Sequence, residues 1–268
     1  MIKSHSFADR VILVCGVARG GIGGATVRLL SSLGATLVCV DRTQATLDGV
    51  LAQIQRGHGI VADLTDPAQT DGLIDGVVAT FGQLDGIANV AGGSRPGDWR
   101  PLVDVETTAF REVVNLNLEY VFRICRDAAR SAIARDAPAA MVNVSSVSAL
   151  NSAPMHGPYG AAKAGMIALT RTMAFEWARH GIRVNCVSLG VVPSERVTAT
   201  GVNPQRQAPE TTSDVVQTSV DELANAIVFL LSDLASGITG HNLIVDSGVT
   251  TRNAVLSMRM NAAKRVRP

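Results

Sequence analysis

A short apolar run, Val11–Cys15 (VILVC), leads directly into Gly16-Val17-Ala18-Arg19-Gly20-Gly21-Ile22-Gly23-Gly24 and then into the helix-forming stretch Ala25–Ser32. Consecutive apolar residues bounded by glycine read as a strand buried on both faces, as in a parallel sheet. Glycines allow a tight turn and bring the backbone close to a pyrophosphate, which then lies at the helix N-terminus. A bare glycine cluster is an ordinary turn; between a strand and a helix it points to dinucleotide binding. The second strand, Thr36–Val40 (TLVCV), ends at Asp41. An acidic side chain about 20 residues past the loop is placed to accept hydrogen bonds from the adenosine ribose hydroxyls and to repel a 2′-phosphate. Asp41 therefore favours NAD over NADP. Arg19 and Arg42 pull the other way, because either could reach a 2′-phosphate, and a turn or helix cap is the plainer role for Asp41.

The alternation continues along the chain. Ile60–Ala62 reads as a third strand before Asp63-Leu64, Pro67 starts a helix running to about Phe81, and Leu84–Val90 is a fourth strand leading into Ala91-Gly92-Gly93. A long helix from about Thr107 carries Asn115 and Asn117 among apolar residues, and buried amides need partners. Met141–Val144 is a fifth strand, Tyr159–His180 a helix closed by Gly181, and Arg183–Val187 a sixth strand. Val191–Gln217 is polar and proline-bearing, as expected of a lid over a substrate. Asp221–Ser232 is a helix with a capping-type start, and Asn242–Val245 is the last strand. Strictly alternating strands and helices without linker or repeat predict one α/β domain, a doubly wound parallel sheet of about seven strands, over residues 1–250. Residues 251–268 form a basic C-terminal extension, expected to be frayed or to contact another subunit.

Composition narrows the function classes. Of 268 residues, 47% are hydrophobic and 18% charged, enough for a core and against disorder. A net charge of +1 gives no electrostatic case for nucleic acid or an anionic membrane. The first ten residues lack the apolar core of a signal peptide, and no apolar run reaches membrane-spanning length. Cys15, Cys39, Cys125 and Cys186 show no zinc-like spacing, so no metal is expected, and each sits in an apolar run as a reduced thiol would. A soluble, cytoplasmic protein is expected.

The chemistry is carried by Tyr159 and Lys163. Four residues apart on a helix, they share a face, and an ammonium beside a phenol favours the phenolate, so the Tyr pKa is expected to fall from about 10. Ser146, at the end of the fifth strand, offers a hydroxyl to a substrate oxygen. A Tyr/Lys pair at this spacing is by itself an ordinary solvated face.

In this company the chain resembles the short-chain dehydrogenase/reductase family from Val11 to Gly248. The matches, in family order, are the glycine loop, Asp41, Asp63-Leu64, Asn89-Val90-Ala91-Gly92, Asn117, Ser146, Tyr159/Lys163, Leu189-Gly190 with Ser194, and Asp246-Ser247-Gly248. The 13-residue interval from Ser146 to Tyr159 is the family's usual one and selects Ser146 over Ser145 and Ser148. The chain also departs from the pattern. Cys15 stands for the Thr of TGxxxGxG, and Gly16 to Gly21 is one residue longer than usual, which assigns Gly16, Gly21 and Gly23 to the motif and brings Ile22 between them. Val90 replaces the second Asn of NNAG, Leu189 the Pro of Pro-Gly, and Ser247 a Gly.

The resemblance implies roles residue by residue. Tyr159 is the general acid/base, Lys163 lowers its pKa and binds the nicotinamide ribose, Ser146 polarises the substrate oxygen, and Asn117 holds a water leading to Lys163. Gly16, Arg19, Gly21, Ile22 and Gly23 face the phosphates. Asp41 and Arg42 face the adenosine ribose, and Asp63 and Leu64 the adenine. Asn89, Ala91 and Gly92 border the middle of the cofactor, with Val192 at the carboxamide and Ser194 near the phosphates. It implies an NAD-dependent oxidoreductase acting on a small-molecule secondary alcohol or ketone, assembled as a homotetramer or dimer. An NADPH-dependent 3-oxoacyl-carrier-protein ketoreductase is the alternative, opposed by Asp41 and by Phe175 where a carrier-docking Arg is usual. A non-catalytic dinucleotide sensor is a third reading, opposed by the intact catalytic set. Ser148, Asn151, Pro154, Met155, His156 and the 191–217 segment are the expected substrate wall, with His156 most simply a loop histidine and Arg95 and Arg196 plain surface cations.

Overall fold

The computed structural model describes residues 6–190, 192 and 218–251. The lid expected at 191–217 and the basic extension lie almost wholly outside these residues. Seven strands, β1 (Val11–Cys15), β2 (Thr36–Asp41), β3 (Gly57–Val61), β4 (Gly86–Asn89), β5 (Ala139–Ser146), β6 (Ile182–Leu189) and β7 (Asn242–Val245), form one parallel sheet. Their order is β3-β2-β1-β4-β5-β6-β7. Between them run α1 (Ile22–Ser32), α2 (Gln44–Leu51), α3 (Pro67–Thr70), α4 (Leu73–Phe81), α5 (Thr107–Val114), α6 (Tyr120–Ala134), α7 (Gly157–Trp177) and α8 (Val220–Leu231).

Side-chain alternation along each strand divides the core in two. Leu13 and Cys15 of β1 join residues of α4, α6 and α7 on one face, while Ile12 and Val14 join residues of α1, α2 and α8 on the other. Each fully buried aliphatic side chain stabilises the fold by about 1.5–3 kcal/mol. The chain order reverses between β1 and β4, and a crevice at the C-terminal ends of two such strands is where α/β sheets bind ligands. Cys15 and Asn89 are paired in register at that point. The Cys15 carbonyl accepts the amides of Val90 and Ala91 at 3.0 and 2.7 Å, which seats the β4 loop against the glycine turn.

Several boundaries differ from the sequence pattern, each for a local reason. β3 is the sheet edge, and its first residues are exposed, so the apolar signal marks only its second half. The helix expected over Pro67–Phe81 breaks at Gly72, which takes φ 72°. α2 was not anticipated; Thr43 caps it by accepting the amide of Thr46. The long helix from Thr107 passes through a π-helical turn at Asn115–Glu119. β5 extends through Ser145 and Ser146, and α7 starts two residues before Tyr159. Ser219 and Glu222 form a reciprocal capping box at the start of α8. No helix among the described residues is long and apolar enough to cross a membrane.

Candidate active site

The glycine turn is held by the chain's own packing. A Cβ on Gly23 would lie 1.8 Å from the Gly16 carbonyl oxygen. Gly16 has φ +87°, and its Cβ would meet the Ala91 backbone at 2.7 Å. Gly21 is freer, with the Ala18 oxygen at 3.3 Å and the Ala18 Cβ at 3.6 Å. The Gly21 amide closes a turn onto the Ala18 carbonyl at 2.9 Å. Gly21 caps α1 with no side-chain hydrogen bond, Ile22 begins the helix, and no acid occupies its first turn. The positive end of this helix is thus left open, which fits a pyrophosphate group. Arg19 is exposed, and its carbonyl accepts from Arg28.

Asp41 ends β2 with both oxygens engaged. One accepts the Val17 amide at 3.0 Å and the other the Arg42 amide at 2.8 Å. The carboxylate braces the glycine turn and keeps lone pairs for ribose hydroxyls, while the Arg42 side chain is exposed. Burial acts to raise the Asp63 carboxyl, but bonds from the Thr65 amide and hydroxyl, with the charges of Arg42 and Arg95, hold it below the usual range. The Leu64 side chain is in the core, and its carbonyl accepts from Arg123 at 2.7 Å.

At the middle of the cleft two buried amides are engaged by the protein. The Asn89 side chain turns into the sheet, donating to Asn143 at 2.9 Å and to Cys125. Asn117 is wholly buried, its oxygen accepting the Gly93 amide at 2.8 Å and its nitrogen donating to the carbonyls of Gly93 and Val113. Both amide hydrogens of Asn117 are used in fixing the loop beside Gly92. The π turn brings Asn117 to this position. The Tyr120 hydroxyl, which sequence reasoning missed, donates to the Ala91 carbonyl at 2.6 Å and pins the same loop. A Cβ on Gly92 would lie 2.8 Å from the Asn117 oxygen and 3.1 Å from Lys163 Nζ, so the missing side chain keeps this space clear.

Ser146 and the Tyr159/Lys163 pair converge here from β5 and α7. Ser146 Oγ accepts the Ser148 amide at 3.1 Å, and Ser145 Oγ donates to the Lys163 carbonyl at 3.0 Å, tying strand to helix. Lys163 is buried, donates to the Val144 carbonyl at 2.8 Å, and its Nζ lies 5.6 Å from the Tyr159 ring centroid. The Tyr159 pKa moves opposite to the sequence expectation. Burial raises it, and a hydrogen bond with Ser146 only partly offsets the rise. The same burial lowers Lys163 from the ordinary 10.5 to about 8. Val192 packs against the apolar cluster on the α1 and α8 side, and Ser194 lies outside the described residues.

The buried ammonium has a stability consequence. Between pH 8 and 10.5 the unfolded chain binds more protons at this lysine than the folded one, so stability rises with pH there; below pH 8 the full cost of the buried charge is present. Lys163→Met, of similar length and uncharged, is expected to raise the thermal midpoint at pH 7, with a gain of at most about 3 kcal/mol less the cost of the unpaired Val144 carbonyl. The gain should shrink between pH 8 and 10.5. A gain that did not change with pH would show that Lys163 does not bury its charge in the folded protein.

Known proteins resemble this chain over nearly its whole length. A family model described as enoyl-(acyl carrier protein) reductase matches residues 16–250. The chain is 35% identical over 249 residues to cis-4-hydroxycyclohexanecarboxylate dehydrogenase of Sinomonas cyclohexanicum, covering 92% of this chain and 98% of that one. It is 34% identical over 243 residues to human L-xylulose reductase, covering 90% and 96%. A short-chain type dehydrogenase/reductase from Mycobacterium ulcerans superimposes with a TM-score of 0.84 at 30% identity, covering 92% of each chain. With the seven-stranded parallel sheet, the glycine turn at its switch point and Ser146, Tyr159 and Lys163 gathered at one edge, these matches show that the chain belongs to the short-chain dehydrogenase/reductase family of oxidoreductases.

Proposed function

We propose that this protein is an NAD(H)-dependent oxidoreductase interconverting a secondary alcohol and a ketone, with Tyr159 as general acid/base. The observation that carries the proposal is the convergence of Ser146, Tyr159 and Lys163, with the Gly92 backbone packed close against Lys163. When bound, the nicotinamide group accepts or donates the hydride; the chain's own residues orient the reactants and move the proton. Tyr159 Oη gives a proton to the ketone oxygen in reduction and takes it from the alcohol in oxidation. Ser146 Oγ hydrogen-bonds the same oxygen and holds it at the phenol. Lys163 supplies positive charge that steadies the phenolate as it forms. Asn117 keeps the Gly92-Gly93 backbone in place, and Asp41 receives the adenosine ribose.

The relatives act on a hydroxycyclohexanecarboxylate and on xylulose, so substrate tests begin with cyclic hydroxy acids and small polyols. Asp41 supports NAD over NADP. Initial rates with NADH are expected to exceed those with NADPH at equal concentration, and the reverse order would assign Arg42 or Arg19 to a 2′-phosphate. We also propose a cytoplasmic homotetramer, supported by Phe122 and Ile133 on α6 and by Phe175 on α7, the last 88% exposed. A sedimentation mass of one chain would refute the assembly.

A further inference from the structure

The feature of the site without a role so far is a column of three rings. Trp99, from the β4–α5 loop, stacks on His156 with centroids 3.9 Å apart and planes 18° apart. His156 stacks on Tyr159 at 4.3 Å and 7°. The chain is shaped to hold this column. Met155 takes φ 63°, unusual for a residue with a Cβ, and its carbonyl accepts the Arg100 amide at 2.9 Å, which ties the Trp99 loop to the turn before α7. The His156 carbonyl accepts the Gly160 amide at 3.1 Å, so the ring is fixed to the first turn of α7. His156 is 6% exposed, and its Nε2 is buried with no hydrogen-bond partner among the described residues. Burial lowers its pKa to about 4 against the opposing charge of Asp98, so the ring is neutral at working pH. The groups facing Tyr159 are therefore a neutral imidazole, the Ser146 hydroxyl and the Lys163 ammonium.

We propose that Trp99 and His156 are positioning residues for Tyr159: a loop-borne aromatic column that fixes the plane of the phenol and keeps water off its face. The role rests on Tyr159 being the acid/base group. It makes the Trp99 loop part of the catalytic apparatus without contact with the reacting atoms. Flat neutral rings exclude water from one another, and exclusion of water is the largest influence on the Tyr159 phenol.

The chain holds two tyrosines, which makes the test direct. Tyr120 is fully buried and its pKa is raised well above 10, so tyrosinate absorbance read within milliseconds of a pH jump reports Tyr159, with Tyr159→Phe as the blank. The protein is measured free of cofactor as wild type, Trp99→Ala, His156→Ala and His156→Phe. Both alanine variants are expected to lower the Tyr159 midpoint toward the ordinary value of 10, and His156→Phe to keep the wild-type midpoint. On any substrate turned over, the alanine variants should lose between about tenfold and 10²-fold in kcat, with rescue by phenylalanine. If His156→Ala fails to fold, Trp99→Ala carries the same expectation from the loop side. Unmoved midpoints in folded alanine variants overturn the proposal. So does a His156→Phe variant that loses as much activity as His156→Ala, since Nε2 would then act on the substrate itself. The two readings separate cleanly. Normal turnover with unmoved midpoints removes the column alone, and shifted midpoints in a protein without turnover support the column and overturn the enzymatic reading.

Discussion

Tyr159→Phe is expected to lower turnover by about 10²–10⁴-fold while NAD(H) binding is retained, because it removes one hydroxyl and leaves the ring in its stack. The size of the loss follows from what the hydroxyl does: it is the group placed to exchange a proton with the substrate oxygen, while Ser146 holds that oxygen. The raised Tyr159 pKa also fixes the direction of the pH dependence. In the free protein the phenol stays protonated through the neutral range, so ketone reduction should hold its rate to high pH. Alcohol oxidation needs the phenolate and should rise as pH increases. Rates in both directions against pH, with calorimetric titration of the cofactor into each variant, check both statements. Full turnover by the phenylalanine variant would remove Tyr159 from its role.

Gly23→Ala should be the most damaging small substitution in the glycine turn. The new methyl would meet the Gly16 oxygen at 1.8 Å, the Gly16 carbonyl carbon at 2.9 Å and Val17 Cα at 3.1 Å, all backbone. No side chain can rotate to relieve this, so the turn between β1 and α1 must open. The cost is expected at the upper end for overpacking, about 3 kcal/mol, which in a chain of this length lowers the thermal midpoint by about 10 °C. Dinucleotide binding should be lost with it. Gly21→Ala is the control. Its methyl meets the Ala18 oxygen at 3.3 Å and the Ala18 Cβ at 3.6 Å, and φ is −103°, so it should cost less than about 1 kcal/mol. Equal damage from the two would contradict the packing described for the turn.

The sheet, the glycine turn and the gathering of Ser146, Tyr159 and Lys163 were legible in the sequence because each rests on a local signal: an apolar run, glycines between strand and helix, a helical spacing of four. β3 was half legible because an edge strand need not be apolar on both faces. The π turn at Asn115–Glu119 was not, since a change of helical pitch leaves little trace in composition. The Tyr159 pKa went the other way because a spacing argument counts the nearby ammonium but not the water both groups lose; burial depresses Lys163 as well. His156 read as a plain loop histidine because its partner, Trp99, lies 57 residues earlier in the chain. Stacking between distant loops has no sequence period.

Hydride transfer between NAD and a carbinol carbon, with Tyr159 moving the proton, is tested with NADH deuterated at the transferring position of the nicotinamide, a panel of cyclic keto acids and ketoses, and mass analysis of the alcohol formed. One deuterium is expected on the carbinol carbon with wild type and almost none with Tyr159→Phe. Tight NADH binding with no deuterium in any product across the panel would contradict it and leave a dinucleotide-binding protein without this chemistry.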